Sequence, residues 1–184
     1  MRRAMTTAMA GTGISLADEA KDLGVDATAA ARRRVGTQQE RVAKSCRRAQ
    51  RLRRVRGPAR GKRGLANGVL QAGAFYGVDV IGMSDGALLK LRTETALAMI
   101  GPGRGRRCLT AELALCGEGV DPCVALHGKV VFRWASQAWK GCLEDAGVAS
   151  AWQAAVQRRR GGKLAANQVK GPVAATARTL DFLG

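Results

Sequence analysis

The stretch Val35-Gly36-Thr37-Gln38-Gln39-Glu40-Arg41-Val42-Ala43-Lys44-Ser45-Cys46-Arg47-Arg48-Ala49-Gln50-Arg51-Leu52-Arg53-Arg54 decides how the chain is read. Val35, Val42, Cys46 and Ala49 recur at helical spacing, which is the seam of an amphipathic helix. Arg41, Lys44, Arg47, Arg48, Arg51 and Arg54 fall outside that seam. Arg53 points the same way as Val42 and Cys46, so the apolar contact ends there, and Gly57-Pro58 stops the helix. From Arg32 to Arg63 there are 14 Lys or Arg and one acid, Glu40. A solvated helix normally mixes both signs. One-signed charge repels itself and calls for an anionic partner.

The whole chain repeats this bias. Its 184 residues carry 31 Lys or Arg, 14 Asp or Glu and a net charge of +17. That balance points to nucleic acid or an anionic surface. No run of about 18 apolar residues is present to span a membrane, so no membrane is expected. Hydrophobic residues make up 46%, largely alanine, and aromatics only 4%, which favours helices over strands and a core of Leu, Val and a few Trp. The expected fold is mainly α. Five cysteines, at 46, 108, 116, 123 and 142, are an odd number without a signal peptide ahead of them, which argues against a disulfide framework.

Outward from the basic helix, Ala20–Asp26 reads as a short strand with a Gly-containing turn. Leu65–Gly73 is apolar and leads into Ala74–Gly82, where strand and buried helix share one pattern. Ser84 is placed to cap a helix running to about Ile100. Its stripe is Leu88, Leu91, Thr95 and Met99, widened by Leu89, Ala96 and Ile100, a breadth that implies burial on two sides. Arg104, Arg106 and Arg107 form a second basic patch in a Gly-rich loop. Thr110 is positioned to cap a short helix to Cys116, with a loop from Gly117 to Pro122. Lys129–Ala146 reads as a helix with the seam Val131, Ala135, Ala138 and Cys142, and with Trp134 and Trp139 on its shoulders. Arg133, Gln137, Lys140 and Glu144 line its opposite face. A helix over Ser150–Arg159 ends in a third basic cluster, Arg158-Arg159-Arg160-Gly161-Gly162. A last one, Pro172–Leu183, opens with proline at a first-turn position.

Patterns that would carry chemistry are weak. Cys108, Cys116, Cys123 and His127 have zinc-ligand types, but the spacing lacks the two ligands within a few residues that a compact knuckle uses. Cys123 and His127 could pair, yet no third group orients the base. The loops Gly57–Lys62 and Gly101–Gly105 do not match a phosphate-binding Gly-x4-Gly-Lys-Ser/Thr motif. Tyr76-Gly77-Val78-Asp79 lacks the paired Asp of a polymerase turn. Phe75, Tyr76, Trp134 and Trp139 could stack bases, though aromatics within apolar seams read first as core.

The order of segments resembles the region after the catalytic palm in reverse transcriptases of non-LTR retrotransposons, the protist and especially dinoflagellate type. Lys21-Asp22-Leu23-Gly24-Val25 is similar to the post-palm strand, with Asp22 in place of the usual aromatic. The basic stretch follows, then Phe75-Tyr76-Gly77-Val78-Asp79, then the helix with Leu88-Leu89-Lys90-Leu91-Arg92. Lys170-Gly171-Pro172-Val173 with Thr179-Leu180 resembles the downstream part, and Met83 stands where many members carry Trp. The resemblance implies an unstructured segment over 1–18, a thumb-like basic region over 19–101 and a helical connection region over 102–184. It implies a fragment whose Met1 is an internal start and whose Gly184 is a cut within a longer chain. It implies a grip on template–primer, as RNA or an RNA–DNA hybrid, packing against a palm outside this sequence, and no polymerisation by the chain alone. No catalytic residue carries over, and any Mg²⁺ would belong to that palm. The candidate nucleic-acid contacts are Arg41, Lys44, Arg47, Arg48, Arg51 and Arg54, with Arg104, Arg106 and Arg107. A nuclear or cytoplasmic location is expected over a mitochondrial one. The alternatives are an independent basic RNA-binding or organellar protein imported through residues 1–17, a thiol-dependent enzyme using Cys123 and His127, and a non-functional pseudogene product with a composition set by a GC-rich genome.

Overall fold

A computed structural model gives the fold, and it describes residues 19–22, 25–28, 35–101, 108–117, 119–141 and 145–184. The described chain is mainly helical. Where the sequence suggested one strand, there is a short antiparallel hairpin: β1 (Glu19–Asp22) pairs with β2 (Val25–Thr28), with Glu19 opposite Thr28.

The basic helix, α1 (Gly36–Leu52), ends where its apolar seam ends. Val42, Cys46 and Ala49 are buried as its seam requires, Val35 at the cap position is half-buried, and Gln38, Ser45 and Leu52 are buried beside them. The buried face is therefore wider than the strip of apolar residues alone. Gln38 owes its burial to a hydrogen bond: its side-chain amide donates to the Gly82 carbonyl at 2.6 Å. A second helical rod returns along α1. It begins as α2 (Ala59–Leu65), continues through a π-helical stretch, Ala66–Gln71, and closes with Ala72–Ala74. The rod, with the short helix Val78–Ile81 after it, resolves the strand-or-helix ambiguity of 65–82 in favour of helix. Gln71 is buried and its amide holds the loop ahead of α6 through the carbonyls of Gly119 (2.7 Å) and Val120 (2.9 Å). Nothing in the sequence marks the π stretch.

Gly77, at φ 76°, turns the chain into the short α3 (Val78–Ile81), and Gly82, at φ 65°, turns it out again. The left-handed backbone favours glycine at both positions. At Gly82 a Cβ would also sit 3.0 Å from the Val169 side chain, so the packing leaves no room for one. Ser84 caps α4 (Asp85–Met99) as the sequence predicts, accepting from the Ala87 amide at 3.3 Å. Leu88, Leu91, Thr95 and Ala96 are buried as expected, but Leu89 and Ile100 face solvent and Ala98 takes the inner place instead.

α1, α4 and the π stretch meet on small residues. Ala49, Ala66 and Ala98 are all essentially without exposure, with Leu52 and Leu70 filling around them. Alanine lets the helix axes approach closely, which gives the Ala-rich composition a packing role. Beside this contact Val42, Cys46, Ala74, Phe75, Val78, Met83, Leu88, Leu91 and Leu126 form the largest cluster. Truncating a fully buried leucine such as Leu91 to alanine would cost about 2–5 kcal/mol.

Two expectations are corrected beyond α4. Thr110 does not cap α5 (Leu109–Leu115); Cys108 holds the cap position, and Thr110 instead accepts a hydrogen bond from Arg92 at 3.1 Å. α6 runs over Pro122–Trp139, seven residues earlier at its start than Lys129 and ending before Ala146. Its buried residues are Pro122, Leu126, His127 and Val130. Ala135 and Ala138 of the expected seam are exposed, Val131 is half-buried, and Cys142 lies outside the described residues, as does Glu144. The face shifts because α4 and α8 cover only the first part of α6, and Trp139 beyond them is 94% exposed. α7 (Asp145–Gln157) begins earlier than Ser150 and leads through a turn and a 3₁₀ segment, Ala166–Gln168, to α8 (Pro172–Leu183). α7 and α8 close a second cluster of Val130, Ala155, Leu164, Val169, Ala174, Ala175 and Ala177 with Trp152 against it. Among the described residues no helix is long and apolar enough to cross a membrane.

Arg92 ties α4, α5 and α6 at one point. Its Nε donates to Asp121 Oδ1 at 2.8 Å and its terminal nitrogen to Oδ2 at 2.5 Å, while Asp121 Oδ1 also caps α6 by accepting from the Cys123 amide at 2.8 Å. Removing Asp121 leaves a largely buried guanidinium unpaired and a helix uncapped. Asp121→Ala is expected to lose about 2–3 kcal/mol in urea unfolding. Asp121→Asn keeps a cap acceptor but removes the charge, so it should lose less; equal losses would mean the cap contributes nothing.

Candidate nucleic-acid interface

The buried seam of α1 fixes where its charges go. Lys44, Arg47 and Arg51 project from the outer face and are exposed. Among the described residues none of the three has a carboxylate within ion-pair range. Arg54 is also exposed, but it lies past the last helical residue. Arg41 and Arg48 occupy one shoulder and are half-buried against the returning rod. The Arg41 guanidinium carbon lies 4.5 Å from the centre of the Tyr76 ring, a cation–π contact. The Arg48 guanidinium passes so close to Gly73 that a Cβ there would sit 3.4 Å from it. Arg53, on the other shoulder, is held by Glu94 of α4 at 3.3 Å, beside a 3.4 Å hydrogen bond from Gln50 to the same carboxylate. The six α1-region cations therefore do not act as one set. Three are on the outer face, two lie on the Tyr76 shoulder, and Arg54 extends the outer face past the helix end. Arg104, Arg106 and Arg107 lie outside the described residues.

Elsewhere arginines are engaged. Arg133 of α6 pairs with Asp79 of α3, Arg178 of α8 with Asp85 of α4 (2.5 Å), and Arg159 after α7 with Asp181 of α8 (2.6 Å). The third basic cluster is thus tied in part to the fold. Arg158 and Arg160 of it are exposed, and Arg160 forms an isolated bridge with Lys163.

The aromatic candidates separate in the same way. Phe75 is core. Tyr76, its neighbour, is 46% exposed beside α1. Trp134 lines a cavity of about 560 Å³ with Phe132, Asp79, Arg133 and Pro172, remote in sequence from α1. Asp79 serves an ion pair at the start of α3, which accounts for the Tyr-Gly-x-acid element without any catalytic role. The contacts that sequence reading missed, Tyr76 on Arg41 and Gly73 on Arg48, connect residues about thirty positions apart and leave no local signal.

The Cys123/His127 pair is arranged against thiol chemistry. His127 Nδ1 lies 3.2 Å from the Thr179 hydroxyl and its ring stacks on Phe182 at 4.1 Å. Burial pushes its pKa below the ordinary value, and nearby Arg178 adds to this against an opposing effect of Asp85. Burial pushes the Cys123 thiol up, where a reactive cysteine needs it lowered. Burial likewise raises Cys46 and Cys116. Among the described residues no three His, Cys, Asp or Glu side chains are grouped to hold a metal ion.

No protein-family model, curated protein or solved structure matches this chain.

His127 supplies a pH test of the α6–α8 packing. It is the single histidine of the chain. The unfolded chain takes up its proton as pH falls below the ordinary value of 6.5, while the folded chain resists it. Stability should be full above that value and decline as pH falls from 7 towards about 5, before carboxylates titrate. His127→Phe should flatten the melting temperature over this window; an unchanged slope would place the titration elsewhere.

Proposed function

We propose that the chain binds nucleic acid without sequence preference through the outer face and Tyr76 shoulder of α1. On this reading it is the thumb and connection part of a non-LTR retrotransposon reverse transcriptase, holding template–primer for a catalytic palm it does not itself supply. The observation that carries the binding reading is the outer face of α1, where cations predominate and Glu40 is the one acid. Lys44, Arg47 and Arg51 lie in a row on a helix anchored by a buried seam, with no described carboxylate within ion-pair range of them. Guanidinium and ammonium groups so placed are suited to phosphates, and each phosphate neutralised releases counterions. The finer assignment rests on the order of the segments quoted from the sequence. No catalytic residue of the polymerase family carries over to this sequence, so the chain is expected not to incorporate nucleotides on its own.

Fluorescence anisotropy against salt tests the binding face. If Arg41, Lys44, Arg47, Arg48 and Arg51 all engage, log K should fall with log salt at a slope of about −4 to −5 on duplex. The triple substitution Lys44→Gln, Arg47→Gln, Arg51→Gln should flatten this by about one for each phosphate no longer neutralised, whatever the base sequence. Glutamine is a good helix former, so circular dichroism should not change. A slope unmoved by the triple substitution would remove α1 as the interface.

A further inference from the structure

We infer that the nucleic acid taken by α1 is single-stranded, with one unpaired base stacking on Tyr76; this rests on the binding reading above, independently of the thumb assignment, and names its ligand class. Tyr76 is the one tyrosine of the chain, and it is half exposed although its neighbour Phe75 is fully in the core. Its position follows from the fold. Phe75 anchors the end of the returning rod, and Gly77 at φ 76° turns the chain away, so residue 76 is held between two fixed points at the rim of α1. Arg41 already lies close enough to the ring for its guanidinium carbon to be 4.5 Å from the centre. An aromatic ring with a planar cation against it is a surface onto which a further planar group stacks.

From that ring the cations pass from the shoulder, Arg41 and Arg48, onto the outer face, Lys44 and Arg51. Arg41, Lys44 and Arg48 follow at three- and four-residue intervals on α1, and Arg48 runs over Gly73, three residues before Tyr76. Arg51 continues the row. Arg41 to Arg51 covers about 15 Å of helix axis. A ring beside a row of cations can use both only if a base leaves the phosphate track sideways. In a duplex the bases are stacked on one another and offer edges and backbone, so Tyr76 would have nothing to stack on. In a single strand each base has a free face, and stacking on an aromatic is tolerant of sequence.

The test uses the full chain with a labelled oligo-dT strand and a mixed-sequence duplex of equal length at low salt. The strand should bind more tightly than the duplex. Tyr76→Ala should weaken the strand by about 5- to 100-fold. Tyr76→Phe should restore binding, and neither should alter the duplex. The strand's salt slope should be shallower for each phosphate neutralised, about 0.7 against 0.9. A duplex preferred over the strand, or a strand affinity unmoved by Tyr76→Ala, overturns the inference and leaves the α1 interface standing. Failure of the wild-type chain to bind either probe overturns both.

Discussion

Everything downstream of α4 depends on the Arg92–Asp121 pair. It is bidentate and largely buried, and both partners do more than face each other. Asp121 starts α6 by capping it, and Arg92 reaches on to Thr110 in α5. The loop that carries Asp121 is pinned from its other side by Gln71, whose amide holds Gly119 and Val120. The entry of α6 into the bundle is thus fixed by polar contacts, and its apolar residues Leu126 and Val130 then fall into two different clusters. A buried pair of this kind adds less net stability than its Coulomb attraction suggests, because desolvation opposes it. Its larger effect is on geometry, since an α6 rotated by one residue would leave both charges without partners.

The second constraint is that carboxylates are scarce, 14 against 31 Lys and Arg. Asp79, Asp85, Glu94, Asp121 and Asp181 each hold an arginine from a different part of the chain. Several of these pairs are at the surface and worth little singly; Asp85, for instance, is mostly exposed. Together they place five of the acids between elements. α1 retains only Glu40 on its own outer side. The bare charge of α1 is thus connected to the way the other helices are joined.

Features set within a few residues were legible in the sequence. The α1 seam, its loss at Arg53, the Ser84 cap and the proline start of α8 are all local, and all stand in the structure. α6 was misread because it carries two apolar faces. Val131, Ala135 and Ala138 compete with Leu126 and Val130 at equally good spacing, and only the neighbours decide which face is covered. A signal for its true start was present: Asp121-Pro122 is an N-cap followed by proline at the first turn. The ion pairs were not legible, since Arg178 and Asp85 are 93 residues apart. The same holds for Arg41 on Tyr76. The charges of the candidate interface could be named from sequence, but their division into a free row and an aromatic shoulder required the fold.

That division bears on whether the charge is a by-product of a GC-rich composition. Compositional bias raises arginine everywhere, and folding then drives it to the surface, so exposure alone says nothing. Sign and spacing say more. On α1, Lys44 and Arg48 stand four residues apart, as do Arg47 and Arg51. Like charges at that spacing each cost an isolated helix a few tenths of a kcal/mol, where an acid in one of the places would stabilise it by a similar amount. The packing does not need those cations, because the seam on the other side supplies the burial. Elsewhere in the same chain acids do meet arginines, so neutralisation was available to this sequence. A row kept repulsive along a helix whose core contacts are complete holds an unrelieved repulsion, and an anion bound along it offsets that repulsion. The proposed phosphate track accounts for this with one ligand, and the aromatic ring at the end of the row with one base.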